Sequence, residues 1–236
     1  MQQNSYLICQ PKFWGFDISL GFFRKMNVLF VWVPKAAGSS IYRALKNSRY
    51  KCQRLLNKEK DGVIQFPYTD FDNRGAVTFG HTSIDALLEN DIMHKDFFES
   101  AFKFCFVRNP WDRLVSLFFY RELHKKYDSF KQFCLAFKDQ GIEPIGLYNS
   151  KLNSQFNDQV SWIIGQNGRL LVDFIGRYER IEEDFRKICR IIGIRKRFPH
   201  RNSTKHANYR EYYDAATIEI VRQRYRRDIE FFGYDF

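Results

Sequence analysis

The sequence predicts a single α/β domain built on a mostly parallel central sheet. Three observations carry this expectation. Apolar, β-rich runs occur at residues 28–33 (VLFVWV), 102–107 (FKFCFV) and 170–175 (LLVDFI), with the near-continuous hydrophobicity of strands buried on both faces. Each run is followed by a segment whose apolar residues recur at helical spacing, so strands and helices alternate. No repeat, low-complexity tract or interdomain linker interrupts the 236 residues, a length suited to one substantial core and short for two.

Residues 1–26 scatter aromatics (Phe13, Trp14, Phe16, Phe22, Phe23) without a period and read as an irregular arm packed on the domain, which occupies 27–236. The first strand is stopped by Pro34. Gly38, Ser39 and Ser40 then lead into a helix over 41–46, where Ile41, Ala44 and Leu45 share a face. Strand, small-residue turn and helix make the first half of a βα unit. The polar 47–80 stretch predicts loops with one short strand at 76–79, and 84–88 predicts a short helix. The second strand ends at Asn109-Pro110, and a long helix follows with Leu114, Leu117 and Phe118 at core spacing; another is predicted over 129–138. Weak patterning over 139–169 predicts loops with one helical segment near 157–164. The third strand leads to a helix over 181–192 whose acidic first turn (Glu182, Glu183, Asp184) suits the helix dipole. A basic loop and a last helix over 215–227 complete the pattern.

Composition narrows the partners. At 44% hydrophobic residues, with 25 Phe, the chain is a packed body rather than a disordered one. Lys and Arg outnumber Asp and Glu by 38 to 27, a formal net charge of +11. That balance points to an anionic partner (nucleic acid, membrane surface, nucleotide or acidic polysaccharide) without choosing among them. The five cysteines are widely spaced with no CxxC, and Cys105 and Cys134 lie in apolar runs, which suits a reducing compartment. The five histidines form no HxxxH pair, so no metal site is expected. No stretch approaches the roughly 20 apolar residues of a membrane helix, and the chain reads as soluble and cytoplasmic.

Two strand-to-helix turns carry the chemistry. Pro34-Lys-Ala-Ala-Gly-Ser-Ser40 follows a buried strand and opens a helix. Its small residues, Ala36, Ala37 and Gly38, let an anion approach the backbone, where unpaired N–H groups and the positive end of the dipole face it. Lys35 adds a full charge, and Ser39 and Ser40 add hydroxyls. GxxxxGK[ST] is absent, so this is not a Walker A loop; an ordinary βα turn with a capping serine would also use these residues. The second turn, Arg108-Asn-Pro-Trp-Asp-Arg-Leu-Val-Ser116, puts Arg108 at a strand end, placed for a bidentate pair with a phosphate. Ser116 could share that phosphate if the chain folds back at Asn109-Pro110. The bland alternatives are a structural ion pair for Arg108 and a helix-face hydroxyl for Ser116.

Together these turns resemble the two nucleotide-binding signatures of sulfotransferases that use 3′-phosphoadenosine 5′-phosphosulfate (PAPS). The likeness is nearest to the carbohydrate group that includes heparan sulfate 2-O-sulfotransferase and the chondroitin and dermatan enzymes. It extends through Asp173-Phe-Ile-Gly-Arg-Tyr-Glu179 and Tyr209-Arg-Glu-Tyr-Tyr213. The resemblance implies a three-layer, P-loop nucleotide-kinase-like fold. In it PKAAGSS (34–40) holds the 5′-phosphosulfate and RNPWDRLVS (108–116) the 3′-phosphate, while Tyr178 contacts adenine, a position that plain core packing would also explain. It implies a catalytic base at His81, in Gly80-His81-Thr82-Ser83, with Glu89 or Glu99 as fallbacks, and Lys35 stabilising the leaving oxygen. The acceptor is then a hydroxyl, of a glycan in the family's manner, neutral or anionic, with PAPS as co-substrate and neither metal nor nucleic acid required.

The family often has Thr-Gly or Gly-Gly where this chain has Ala36-Ala37, a departure that bears on cofactor affinity. Residues 186–205 hold eight Lys or Arg and no acid; the resemblance makes 199–205 a loop over the nucleotide or acceptor, and a solvated basic face is the plain alternative. Two other functions compete. A nucleotide kinase should show a lysine after the loop glycine and a strand-end acid for Mg²⁺. A non-enzymatic module binding nucleic acid or sulfated glycan would account for the charge, but not for two phosphate turns.

Overall fold

A computed structural model of the chain describes residues 26–55, 58–60, 63–65, 75–89, 91–138, 155–199 and 206–236. In chain order these form β1 (Val28–Val31), α1 (Gly38–Lys46), β2 (Gln53–Arg54), β3 (Lys58–Lys60), β4 (Val63–Gln65), β5 (Ala76–Thr78), α2 (Ile84–Glu89), α3 (Lys95–Ser100), β6 (Phe102–Val107), α4 (Pro110–Tyr120), α5 (Phe130–Lys138), β7 (Phe174–Arg177), α6 (Ile181–Ile191), α7 (Ala215–Arg224) and α8 (Arg226–Phe232). Five strands pair in the order β2-β5-β1-β6-β7, every pairing parallel, and β3 and β4 form a separate antiparallel ribbon. Parallel neighbours need long crossovers, which the helices flanking the sheet supply.

The centre of the sheet is dry. All four residues of β1 are buried, and Phe30 stacks on its register partner Phe104 with ring centroids 5.2 Å apart. Phe106 faces Gly176 in β7, where a Cβ would stand 2.4 Å from the Phe106 ring, so the glycine makes room for the aromatic. The order also locates the site. From β1 the chain moves toward β2 and β5, and from β6 it moves the other way to β7. Where connections diverge like this, the loops leaving the two strands part and a crevice opens at the carboxyl edge of the sheet, the usual ligand position in such folds.

A second core stands beside the first. Trp111, Leu114, Leu117 and Phe118 of α4 pack against Phe130, Phe133 and Phe137 of α5 and Val221 of α7. Pro110 opens α4 at its first position, where its missing N–H costs nothing, and the Asn109 side chain accepts from Trp111 N at 3.0 Å as the cap.

The structure departs from the expected elements in four places. The third strand runs over Phe174–Arg177 rather than 170–175. Leu170 instead bridges Ile164, and Asp173 turns back onto Lys103, accepting from its backbone N at 2.8 Å and pairing with its Nζ at 3.0 Å. The helical segment near 157–164 is one 3₁₀ turn over Val160–Trp162. The last helix breaks at Tyr225, whose buried ring ties its hydroxyl to Phe156 O at 2.8 Å. Finally, α3, β2 and the β3–β4 ribbon were not expected. The arm expected over 1–26 lies outside the described residues apart from Met26, as do residues 139–154 and, apart from Pro199, the 199–205 loop.

Candidate active site

The loop leaving β1 is strained in a useful way. Lys35 and Ala37 both adopt positive φ, 65° and 63°, a region that costs an L-residue about 1–3 kcal/mol. Ala37 is the cap of α1 but has no side chain to bond the helix's first turn. As a result the N–H groups of Ala37, Gly38 and Ser39 meet no acceptor among the described residues; the first bonded amide is Ser40 N, to Ala37 O at 3.0 Å. Three successive donors without an acceptor at a helix start suit an anion. Ser40 is buried and Ser39 exposed. Gly38 cannot carry a side chain, because its Cβ would lie 1.8 Å from Nε1 of the Trp32 indole beneath it. Gly38→Ala should therefore push Trp32 aside, cost about 1–3 kcal/mol and weaken anion binding together. A melting curve and a nucleotide titration on the variant check both; unchanged affinity would show that the loop tolerates a displaced indole.

Positive charge converges on this loop. Lys35 Nζ lies 3.9 Å from the centroid of the exposed Tyr120 ring. Burial, then the guanidinium groups of Arg108 and Arg121, pull its pKa down to about 8, which leaves it mostly protonated at neutral pH. Arg108 sits across the crevice. Its Nη1 reaches toward Lys35 O at 3.4 Å, its guanidinium lies 4.0 Å over the Tyr178 ring, and Nε and Nη2 donate to the two Asp112 carboxylate oxygens, each at 2.7 Å. The ion pair anticipated as the plain alternative for Arg108 is thus present. Ser116 is buried in α4, two turns beyond Arg108.

His81 closes the cluster. Its Nδ1 donates to Trp32 O at 3.0 Å; a carbonyl only accepts, so the proton resides on Nδ1 and the lone pair on Nε2. Its ring meets the edges of Trp32 and Trp162, with centroids 5.6 and 6.2 Å away. Burial, then the positive charges of Arg54, Arg113 and Arg121, push its pKa down to about 4 against the opposing pull of the Trp32 carbonyl. The imidazole is neutral at physiological pH.

The structure therefore brings Arg108 into contact with both Lys35 and Tyr178, and places His81 on the Trp32 that supports Gly38. It does not bring the fallback carboxylates there: Glu89 is hydrogen-bonded to Gln166, and Glu99, in the helix leading to the opposite end of β6, pairs with Lys95 at 3.8 Å. Among the described residues no cluster of His, Cys, Asp or Glu could hold a metal. Sequence reasoning passed over Arg113. Fully buried, it donates from Nε to Pro34 O at 3.1 Å and from Nη2 to Gln155 O at 2.6 Å, lashing the first loop to the second helix. Its i+5 offset from Arg108 inside the same turn was the available signal. Asp112, four residues after Arg108, had a similar one. Nothing marked Trp162.

Residues 20–235 match the family described as "Sulfotransferase family". The chain belongs to the sulfotransferase family. An uncharacterized protein of Archaeoglobus fulgidus is 34% identical over 118 residues, which make up 50% of this chain and 89% of that protein. A crystal structure of a sulfotransferase from Alicyclobacillus acidocaldarius aligns with TM-score 0.46 and 15% identity, covering 89% of this chain and 97% of that one. As a sulfotransferase the protein is an enzyme that transfers a sulfuryl group to an acceptor, and no helix among its described residues is long and apolar enough to cross a membrane.

Proposed function

We propose that this sulfotransferase takes its sulfuryl group from PAPS and passes it to a hydroxyl of a carbohydrate, with Lys35 and His81 at the reacting centre. The observation that carries this reading is the run of N–H groups at Ala37–Ser39, without an acceptor among the described residues, beside Lys35 at the switch in strand order. Those donors suit the 5′-phosphosulfate, and Arg108 across the crevice suits the 3′-phosphate, with Tyr178 next to it for the base. PAPS supplies the activated sulfuryl group. Nε2 of His81 takes the proton of the acceptor hydroxyl as its oxygen bonds to sulfur. The sulfur–oxygen bond to the phosphate breaks, and Lys35 offsets the charge left on that oxygen. Ala36 and Ala37 supply backbone donors without side-chain hydroxyls, so affinity rests on the N–H groups and the cations.

The test is thermal stability against 3′-phosphoadenosine 5′-phosphate (PAP). At a hundred times its dissociation constant it should add about 2.7 kcal/mol, a rise of roughly 5–10 °C for a chain of this size. Arg108→Ala should weaken PAP by about 10- to 100-fold, as expected for lost charge-assisted bonds, and AMP should bind poorly. Asp112→Asn should tighten PAP, because the carboxylate now occupying the Arg108 fork competes with a phosphate. Stabilisation by ATP and Mg²⁺ with none from PAP would replace this reading with a nucleotide kinase.

A further inference from the structure

The end of the domain opposite the phosphate loops carries a concentrated, unpaired positive charge that the transfer reaction does not use. Helices α1 and α6 each follow a strand and run back antiparallel to it, so their C-termini and the turns after them lie at the amino edge of the sheet, away from Lys35 and Arg108. There they meet: Arg49 Nη2 and the Tyr50 hydroxyl both donate to Ile192 O, at 3.1 and 3.0 Å. Both segments lack acids, with no Asp or Glu over 38–55 or over 185–199. Lys46, Arg49 and Lys51 from the first, and Arg190, Arg195 and Arg197 from the second, are all exposed. None is paired with a carboxylate among the described residues. One turn up α6 the picture reverses: Lys187 pairs with Glu183 at 2.7 Å and Asp184 at 3.0 Å, and Arg180 with Asp184 at 3.0 Å. The helix dipole explains a cation at Arg190, but not five more around it.

We propose that this face docks on an anionic membrane surface. Two features favour a bilayer over a soluble polyanion. Ile191, 42% exposed, directly follows Arg190 and precedes Ile192, whose carbonyl accepts from Arg49, and an exposed aliphatic side chain beside Lys and Arg is the combination that enters the headgroup–acyl boundary. Single-stranded nucleic acids are instead gripped with exposed aromatic platforms, and neither acid-free segment presents an exposed Trp, Tyr or Phe among the described residues. Docked this way, the phosphate loops face water on the far side. The proposal is independent of the donor and acceptor assigned above.

Sedimentation with vesicles tests it, comparing phosphatidylcholine alone with mixtures rich in phosphatidylserine. The protein should pellet with the anionic vesicles only. The R190E/R195E/R197E variant should lose at least ~100-fold in partitioning at low salt, since each cation near such a surface contributes about fivefold. That loss should shrink at about 0.15 M salt, where the Debye length is ~8 Å. Ile191→Ser should lose severalfold at either salt, because apolar insertion is not screened. Both variants keep every contact of the phosphate loops, so an unchanged melting temperature shows that they fold. Equal partitioning of the triple variant, or no anionic-vesicle binding at low salt, overturns the proposal. Binding to heparin or duplex DNA without binding to vesicles overturns it in favour of a soluble polyanion.

Discussion

Replacing His81 with alanine is expected to lower kcat by roughly 10²- to 10⁴-fold, the usual contribution of a positioned base, while PAP affinity stays nearly unchanged. The reasoning starts from the tautomer. With Nδ1–H committed to Trp32 O, the imidazole presents its lone pair at Nε2, and a neutral ring is already in the state that accepts a proton. A value near 4 makes it a weak base in the nucleotide-free protein, because Arg54, Arg113 and Arg121 repel a further positive charge on a buried ring. Nucleotide phosphates seated by Lys35 and Arg108 would bring negative charge into the same crevice and offset that repulsion. Bound PAP should therefore raise the His81 pKa toward the range where a general base works well at neutral pH. NMR titration of the imidazole reads this directly: a midpoint near 4 without ligand, and a higher one with PAP. Full activity in His81→Ala would end the assignment.

The same shift has a consequence for stability. The unfolded imidazole titrates near 6.5, above the folded value, so the unfolded chain takes up a proton that the folded chain refuses. This contribution is intact above about pH 6.5 and is lost as pH falls toward 4.

What could be read from the chain alone divides along physical lines. The strands at the centre of the sheet were legible because burial on both faces leaves a continuous apolar signature, as in β1 and β6. The strand-to-helix turn at Lys35 to Ser40 was legible because a tight turn into a helix draws on small residues in a short, local run. Edge elements were not: β2 is two exposed polar residues, Gln53 and Arg54, paired only to β5. Contacts between distant segments were not either. The break at Tyr225 arises because its hydroxyl and the Asp228 carboxylate both reach back to residues 156–160, across 68 or 69 positions of sequence. Trp162 arrives beside His81 through a stretch with no period at all. Arg108 was readable as a phosphate ligand or as an ion-pair partner, and its Asp112 contact is the second of these.

Arg113→Met is expected to destabilise the protein by about 3–5 kcal/mol, the scale seen when a buried charge or its partners are left uncompensated, lowering Tm by roughly 10 °C. Methionine fills much of the space but donates nothing. Pro34 O and Gln155 O would lose their donors, and both lie in loops that bound the crevice. A second effect runs through Asp228, which is fully buried. Burial raises its pKa to about 6, and the Arg113 charge is the largest force holding it from going higher, ahead of the N–H groups of Gln159 and Val160. Without that cation the carboxyl should remain protonated to higher pH, and stability should then peak at a more acidic pH than in the parent. Arg113→Lys separates the two roles. It keeps a charge near Asp228 but lacks the fork that spans Pro34 and Gln155. It should recover the parent's pH dependence while leaving PAP binding weakened. Wild-type PAP affinity in both variants would mean that the Pro34 tether does not hold the phosphate loop in its binding shape.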